Sequence, residues 1–233
     1  MLLLKLIQKV NEKKVGTEEN IIVGASMGGL ITRYALAYME KNNLPHCTRL
    51  YVSFDSPHLG ANVPVGVQFA TMLSKDYSQT GFEGVEKLKS SAAQQMLLRS
   101  VITDEGGITE EGNIATNTCY RTHFVTSLNA IGFPKKCRNI AIANGSQKGL
   151  GQGFGYFDEL MKWPDWKSWG VLLGRLNIRS QPQVTNSENV MSGVLSKTVH
   201  GGWQTLKWDA AYFPENGNAL NYDGAPGGQI DAT

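Results

Sequence analysis

The chain has 233 residues, of which 41% are hydrophobic and 18% charged, and its net charge is +2. These values predict one globular domain over residues 1–233. The basic residues form no stripe, so nucleic acid is not an expected partner, and no apolar run approaches the roughly 20 residues that span a bilayer. The opening MLLLKLIQKV is too short and too often interrupted by lysine for a signal peptide, so the compartment of the protein stays open. The sequence does not indicate an oligomeric state either.

The first part of the chain alternates helical and extended patterns. In chain order, the predicted elements are a helix at 2–14, a buried strand at 20–24, a helix at 27–41, a strand at 49–54, helical segments within 64–103, a loop at 104–118, a helix at 121–131 and a strand at 138–143. This alternation favours an α/β fold, in which a parallel sheet is covered by helices on both faces.

Beyond residue 170 the pattern changes to strand-like runs. VLLGRLNIRS, NVMSGVLSKTVH and WQTLKWDAAYF are expected to pair antiparallel, so residues 170–233 are predicted to be a β-rich extension. Just before them, Trp163, Trp166 and Trp169 recur every three residues. This spacing is typical of one face of a short helix packed into the core; the alternative is an acyl-binding groove or a surface that contacts lipid.

The three cysteines lack metal-ligand spacing. Two alternatives remain open: a disulfide between Cys119 and Cys137, or three buried thiols that include Cys47. The redox compartment is therefore undecided.

A serine stands between two glycines where the predicted strand becomes a helix. Gly24, Ser26 and Gly28 form a Gly-x-Ser-x-Gly motif, with an extended run before it and a helical pattern after it. In a nucleophile elbow the serine adopts a strained backbone conformation, and small neighbours let strand and helix approach. The helix that starts at Met27 directs unpaired N–H groups toward developing negative charge, so the Met27 amide is a predicted oxyanion donor.

The segments IIVGASMGGLITRYAL and LYVSFDSPHLGANVP together resemble α/β-hydrolase lipases and esterases, closest to the bacterial triacylglycerol-lipase and inositol-deacylase-like group. The resemblance covers residues 2 to about 65 and extends to about 145 in element order. It implies an α/β-hydrolase-like fold, with a mainly parallel sheet flanked by helices and a β-rich C-terminal portion. It also places a possible lid or insert at 64–131.

The resemblance implies hydrolysis of a carboxylic ester, of a lipid or another acyl compound, through an acyl-enzyme on Ser26. The substrate would be a small-molecule or lipid ester, with transient contact to a lipid surface, and no metal or organic cofactor is implied. An amidase or thioesterase that uses the same serine is one alternative. Another is a non-catalytic binding module that keeps the hydrolase scaffold, or an inactive fragment of a hydrolase.

A serine hydroxyl needs an adjacent base, which a carboxylate orients. In the resembled fold these groups follow the serine in the order acid, then histidine. His200, late in the chain and before two glycines, is the preferred base. His46 is interpreted as a surface residue, His58 as a structural residue of a Pro-His-x-Gly turn, and His123 as part of a helix.

Two carboxylates are the leading candidates for the acid. Asp55 ends the predicted strand after the elbow helix, a place that some lipases use, and Asp158 follows the 138–143 strand. Asn144, where an acid might have ended that strand, is not ionisable. Other possible acids are Asp165, Asp209 and Asp223.

Only 25 residues precede Ser26. In the resembled fold, several strands and the loop with the second oxyanion donor come before the elbow. The sequence is therefore expected to be an internal fragment of a longer hydrolase, with that donor outside it.

Overall fold

The computed structural model describes residues 2–75, 78–102, 119–144, 157–168, 171–179, 188–199 and 202–212. In chain order the elements are α1 (Leu2–Lys13), β1 (Asn20–Ala25), α2 (Met27–Lys41), β2 (Thr48–Phe54), α3 (Val65–Ser74), α4 (Gln79–Lys89), α5 (Ser91–Met96), α6 (Cys119–Ile131), β3 (Arg138–Ile142), β4 (Glu159–Ser168), β5 (Val171–Arg179), β6 (Glu188–Val199) and β7 (Gly202–Tyr212).

The fold is mixed α/β, and the chain divides into two compact units. The first contains the described residues of Met1–Gly60 and Arg121–Gly151, and the second those of Ala61–Tyr120 and Gln152–Gly224. The predicted loop at 104–118 lies outside the described residues. None of the described helices is long and apolar enough to cross a membrane.

A three-stranded parallel sheet forms the centre of the first unit. Its order is β1-β2-β3, and Ala25 pairs with Phe54, which pairs with Ile142. The β-branched run at 21–23 favours the extended conformation of β1. Helices α1 and α2 bury one face of this sheet, and the core residues there are Ile7, Ala35, Leu36, Met39 and Tyr51, with Ile22 packed against them.

The opposite face of this sheet is partly open. Ile21 is 49% exposed, Val23 63%, Phe54 41% and Ile142 43%. The strand predicted at 20–24 is confirmed as β1, but the expectation that it is buried, in a sheet with helices on both faces, is wrong for the described residues. The physical reason is that α1 and α2 pack on the side of the sheet that carries Ile22, while Ile21, Val23 and Phe54 lie on the other side.

The second unit combines helices with a four-stranded antiparallel sheet in the order β4-β5-β6-β7. The predicted antiparallel pairing of the last three runs is confirmed. Helix α3 packs on this sheet, where Ile178 and Met191 form a buried centre. A second buried cluster joins α3 and α4 and contains Val65, Met72, Val85, Val101 and Ile102.

The tryptophan-rich segment is a strand, so the predicted short helix is wrong. Trp163 and Trp166 lie on β4 and pair with Leu176 and Gly174 of β5, with a register shift between the two pairs. Aromatic residues suit strands as well as helices, and pairing with β5 decides between them. Trp169 lies outside the described residues.

The cysteines form no disulfide in the structure. Cys47 and Cys119 are exposed and Cys137 is half-buried, so three buried thiols are not observed either. Burial, together with the nearby Glu40, raises the pKa of the Cys137 thiol to about 11.

Candidate active site

Two candidate residues follow neighbouring strands directly, at the same edge of the parallel sheet. Ser26 comes after β1, and its N–H donates to the Phe54 carbonyl at 2.9 Å. Asp55 comes after β2, and its N–H donates to the Ile142 carbonyl at 2.6 Å. Ser26 and Asp55 each directly follow the last residue of a strand, and these strand ends pair with each other. The sheet therefore brings a hydroxyl and a carboxylate to one edge.

Ser26 adopts a backbone conformation that is unusual for a residue with a side chain. Its φ is +50°, and its residue surface is exposed. Such a conformation costs on the order of 1–3 kcal/mol and persists only where the surroundings enforce it. Here the hydrogen bond to Phe54 and the immediate start of α2 hold Ser26 between strand and helix.

Met27 is the first residue of α2. The first N–H groups of a helix have no carbonyl partner within it, and the helix dipole adds partial positive charge at this end. The Met27 amide therefore belongs to a set of groups that can stabilise an anion formed beside Ser26.

The glycines around Ser26 differ in how closely they pack. A Cβ on Gly24 would lie 2.5 Å from the Gly28 carbonyl oxygen and 2.6 Å from the Gly29 nitrogen. A Cβ on Gly28 would meet nothing within 4 Å, whereas one on Gly29 would overlap the Ser56 hydroxyl. The motif predicts that the glycine two residues after Ser26 lacks room for a side chain, whereas the structure places this restriction at Gly29. The second glycine of Met-Gly-Gly is the sequence feature that indicates it.

We expect Gly24→Ala to lower the free energy of unfolding by about 2–3 kcal/mol, because the added methyl group meets backbone atoms that cannot move aside. The matched variant Gly28→Ala should be neutral or stabilising by about 0.5–1 kcal/mol, since alanine favours a helix and finds open space. Urea unfolding of both variants checks this. Equal effects at the two positions would contradict the geometry.

Asp55 also has a positive φ, +46°, which aspartate tolerates better than most residues. Its carboxylate accepts two hydrogen bonds from Asn144, two residues beyond β3. The Asn144 N–H donates to Oδ1 at 3.2 Å, and its side-chain amide donates to Oδ2 at 2.9 Å. The carboxylate at this sheet edge is therefore held in one orientation.

His58 is engaged in a structural network. Its Nε2 lies 2.8 Å from Ser53 Oγ, and its Nδ1 lies 3.5 Å from Arg33 Nη1. A guanidinium only donates, so Nδ1 of His58 accepts from Arg33. The proton of the ring is then on Nε2, and this N–H donates a hydrogen bond to Ser53 Oγ. Burial, and then the nearby Arg33, lower the pKa of His58. Because both ring nitrogens face these partners, His58 has no lone pair for Ser26.

Arg33 fixes the segment around His58 to the C-terminal end of α6. Its guanidinium donates to the Gly132 carbonyl at 2.8 Å and to the Leu128 carbonyl at 3.0 Å. It also lies 3.7 Å from the centre of the Phe133 ring. A cation is favoured at this end of a helix, which explains a buried arginine here.

The lowered pKa of His58 predicts a pH dependence of stability. As pH falls below about 6.5, the unfolded chain binds a proton at this histidine before the folded chain does. The contribution is therefore present above about pH 6.5 and is lost as pH falls toward the folded pKa. Between pH 7.5 and pH 5, we expect the free energy of unfolding to fall less in the His58→Gln variant than in the wild type. Urea titrations at both pH values test this, and equal changes would contradict it.

His46 is buried, so its interpretation as a surface residue is wrong. Its Nδ1 accepts from the Thr48 N–H at 3.1 Å, and its Nε2 lies 3.3 Å from Glu40 Oε1. Glu40 is itself fixed by the backbone N–H groups of Lys135 and Lys136, at 2.7 Å each. Both ring nitrogens of His46 therefore have partners, and the loop before β3 fixes one of these partners, Glu40.

The remaining predicted residues are placed as follows. His123 is exposed on α6, and Asp158 belongs to the second unit, just before β4. Asp165 and Asp209 lie on β4 and β7. The residues outside the described part of the chain are His200 and Asp223.

The structure therefore brings Ser26, Met27 and Asp55 to one sheet edge, with Gly24 and Gly28 beside Ser26. A further residue at this edge is Asn144, which the sequence does not mark as functional. Its place two residues beyond the third strand is the signal that the sequence offers for it. Among the described residues, no group of three or more His, Cys, Asp or Glu side chains is arranged to hold a metal ion.

An open apolar groove of about 720 Å³ runs beside β1. It is lined by apolar side chains of α1, by β1 and by the first turns of α2. Ala25 and Gly28, which line it, stand on either side of Ser26 and Met27 in the chain. Apolar surface is thus continuous with the segment that carries the serine.

Residues 2–110 match the family model described as "Putative serine esterase (DUF676)". No curated protein and no solved structure matches the chain. The matched range contains Ser26, Met27 and Asp55, and it covers slightly less than half of the chain. The match supports a serine esterase- or hydrolase-like family and a general serine hydrolase function.

Proposed function

We propose that the chain has an α/β-hydrolase-like fold and cleaves carboxylic esters through an acyl-enzyme on Ser26. The observation that carries the proposal is the position of Ser26, at φ +50° between the end of β1 and the start of α2. A strained, exposed serine at a strand-to-helix turn is the arrangement of a nucleophile elbow. The serine-esterase family match over the same segment adds independent support.

In the proposed mechanism, Ser26 Oγ attacks the carbonyl carbon of the ester while a base takes its proton. The Met27 amide stabilises the oxyanion that forms. The intermediate collapses, the base protonates the departing alcohol, and the acyl group remains on Ser26. Water, activated by the same base, then releases the carboxylic acid.

We propose Asp55 as the acid, and His200, which lies outside the described residues, stays the proposed base on the strength of its place in the sequence. His46 and His58 have ring nitrogens engaged by other partners. Asp55 is favoured over Asp158 because it directly follows β2, the strand that pairs with β1, and Ser26 directly follows β1. Its carboxylate is also held by Asn144.

The proposed substrate is a lipid or other acyl ester whose acyl part is apolar. The groove beside β1 and the exposed apolar side chains of that strand support this choice. Such a surface would also allow transient contact with lipid. The proposed chemistry uses the chain's own side chains and backbone and requires no organic cofactor.

Hydrolysis of matched butyryl compounds tests the proposal. We expect turnover of p-nitrophenyl butyrate, with kcat/KM at least about a hundredfold above that for butyryl p-nitroanilide, whose amide is the harder bond to break. S-butyryl thiocholine tests the thioester alternative in the same assay. Preferred cleavage of the anilide or the thioester would reassign the bond. No turnover by a folded sample would overturn the proposal in favour of a binding module.

A further inference from the structure

Asn144 contacts Asp55 with both of its hydrogen-bond donors. Its backbone N–H reaches one carboxylate oxygen at 3.2 Å, and its side-chain amide reaches the other at 2.9 Å. The two residues are 89 positions apart in the chain, and the β2–β3 register brings them together. One residue thus fixes both oxygens, and with them the plane of the carboxylate.

The contact is poorly placed to serve stability alone. Asp55 and Asn144 are both exposed, and a hydrogen bond contributes about 0.5–1.5 kcal/mol net even in typical settings. The Asp55 backbone is already held by its hydrogen bond to the Ile142 carbonyl. The contacts from Asn144 therefore mainly fix the orientation of the Asp55 side chain, since the backbone of this segment is already attached to β3.

The carboxylate keeps the capacity to bind another donor. An ionised carboxylate offers about four lone-pair sites, and Asn144 occupies one on each oxygen. Within the described part of the chain, the hydrogen bonds to this carboxylate come from Asn144, so the other sites can accept from an imidazole N–H. Orientation of that imidazole is what the acid of a serine hydrolase supplies.

We propose that Asn144 is a positioning residue that holds the Asp55 carboxylate in the orientation needed to direct the catalytic base. This inference rests on the proposed function of Ser26 and Asp55. It assigns a role to the end of β3, where an ionisable residue is absent and an amide donor stands in its place.

Kinetics of two Asn144 variants test the inference. We expect Asn144→Ala to lower kcat for p-nitrophenyl butyrate about ten- to a hundredfold with little change in KM, because the carboxylate loses a fixed orientation. Asn144→Asp places a second carboxylate beside Asp55, so it adds negative charge near the group that Asp55 is proposed to direct. It should move the acid limb of the kcat/KM profile upward by about 1 pH unit. Asn129→Ala, at an exposed asparagine of α6, is the matched control.

A second measurement does not depend on turnover. Carbon-13 NMR of aspartate-labelled chain gives the carboxyl chemical shift of Asp55, and the Asp55→Asn variant assigns its signal. Asn144→Ala removes the side-chain hydrogen bond to Oδ2 and keeps the backbone N–H that donates to Oδ1. The Asp55 carboxyl signal should therefore move in Asn144→Ala and stay in place in Asn129→Ala. A moved signal together with the kcat loss supports the inference.

The failures of the two proposals differ. An inactive wild type that does not react with a fluorophosphonate overturns the proposed function and the role of Asn144 with it. An active wild type whose kcat, pH profile and Asp55 carboxyl NMR signal are unchanged in the Asn144 variants overturns the positioning role alone.

Discussion

Ser26→Ala is expected to lower kcat for p-nitrophenyl butyrate by on the order of 10⁶, to the background rate, because no other group in the mechanism forms the acyl-enzyme. The fold should survive this change. Alanine at φ +50° carries strain similar to that of serine, and the Ser26 N–H can still donate to the Phe54 carbonyl. The free energy of unfolding should therefore change by less than about 1 kcal/mol.

Ser127→Ala is the matched control for this prediction. Ser127 is exposed on α6, in the same unit as Ser26, and its hydroxyl has no role in the proposed chemistry. It should keep full activity. Activity that persists in a folded Ser26→Ala variant at more than about one hundredth of wild type would assign the nucleophile to another residue.

Asp55→Asn is expected to lower kcat by about 10³–10⁴ while KM changes little. The substitution keeps the size of the side chain, and asparagine accepts the positive φ found at this position. It removes the negative charge that stabilises the imidazolium form of the base. The new side chain has an amide N–H₂ where the carboxylate had an acceptor oxygen. This donor faces a donor of Asn144, so the hydrogen bonds that orient the side chain are disrupted.

The comparison that decides this prediction is Asp158→Asn. Asp158 was the other leading acid from the sequence, and it lies in the second unit just before β4. Steady-state kinetics of both variants, after circular dichroism shows that each is folded, separate the two assignments. A large loss in Asp158→Asn with a near-normal Asp55→Asn would transfer the role to Asp158.

The elbow is readable from sequence because its determinants are local. A β-branched run at 21–23, small residues around Ser26 and helical periodicity afterwards all lie within about twenty residues. They specify where β1 ends and α2 begins, and the structure places these ends at Ala25 and Met27. The antiparallel runs after residue 170 form strands of 9 to 12 residues, and their pairing is as predicted.

Features that depend on distant segments were not accessible in the same way. His46 is buried because Glu40 and Thr48 approach it, and Glu40 is fixed in turn by residues of the loop before β3. The tryptophans at 163 and 166 are on a strand because β5 pairs with their backbone. In each case the deciding contact comes from another element, while the local pattern fits more than one structure.

Asn144 illustrates an intermediate case. An amide residue after a strand has no chemical signature of its own, whereas an acid at the same position would be a candidate for the triad. The contact with Asp55 follows from the order β1-β2-β3, in which β3 pairs with the strand that Asp55 ends. Once the strand order is known, the ends of β1, β2 and β3 are expected to meet at one edge.

The central claim is that Ser26 is an activated nucleophile. The most direct measurement is the intact mass of the folded chain after reaction with a fluorophosphonate, followed by peptide mapping of the adduct. We expect one adduct per chain, on the peptide that contains Ser26, with none in Ser26→Ala and none after unfolding in urea. An adduct on another residue, or no adduct on the folded chain, would contradict the claim.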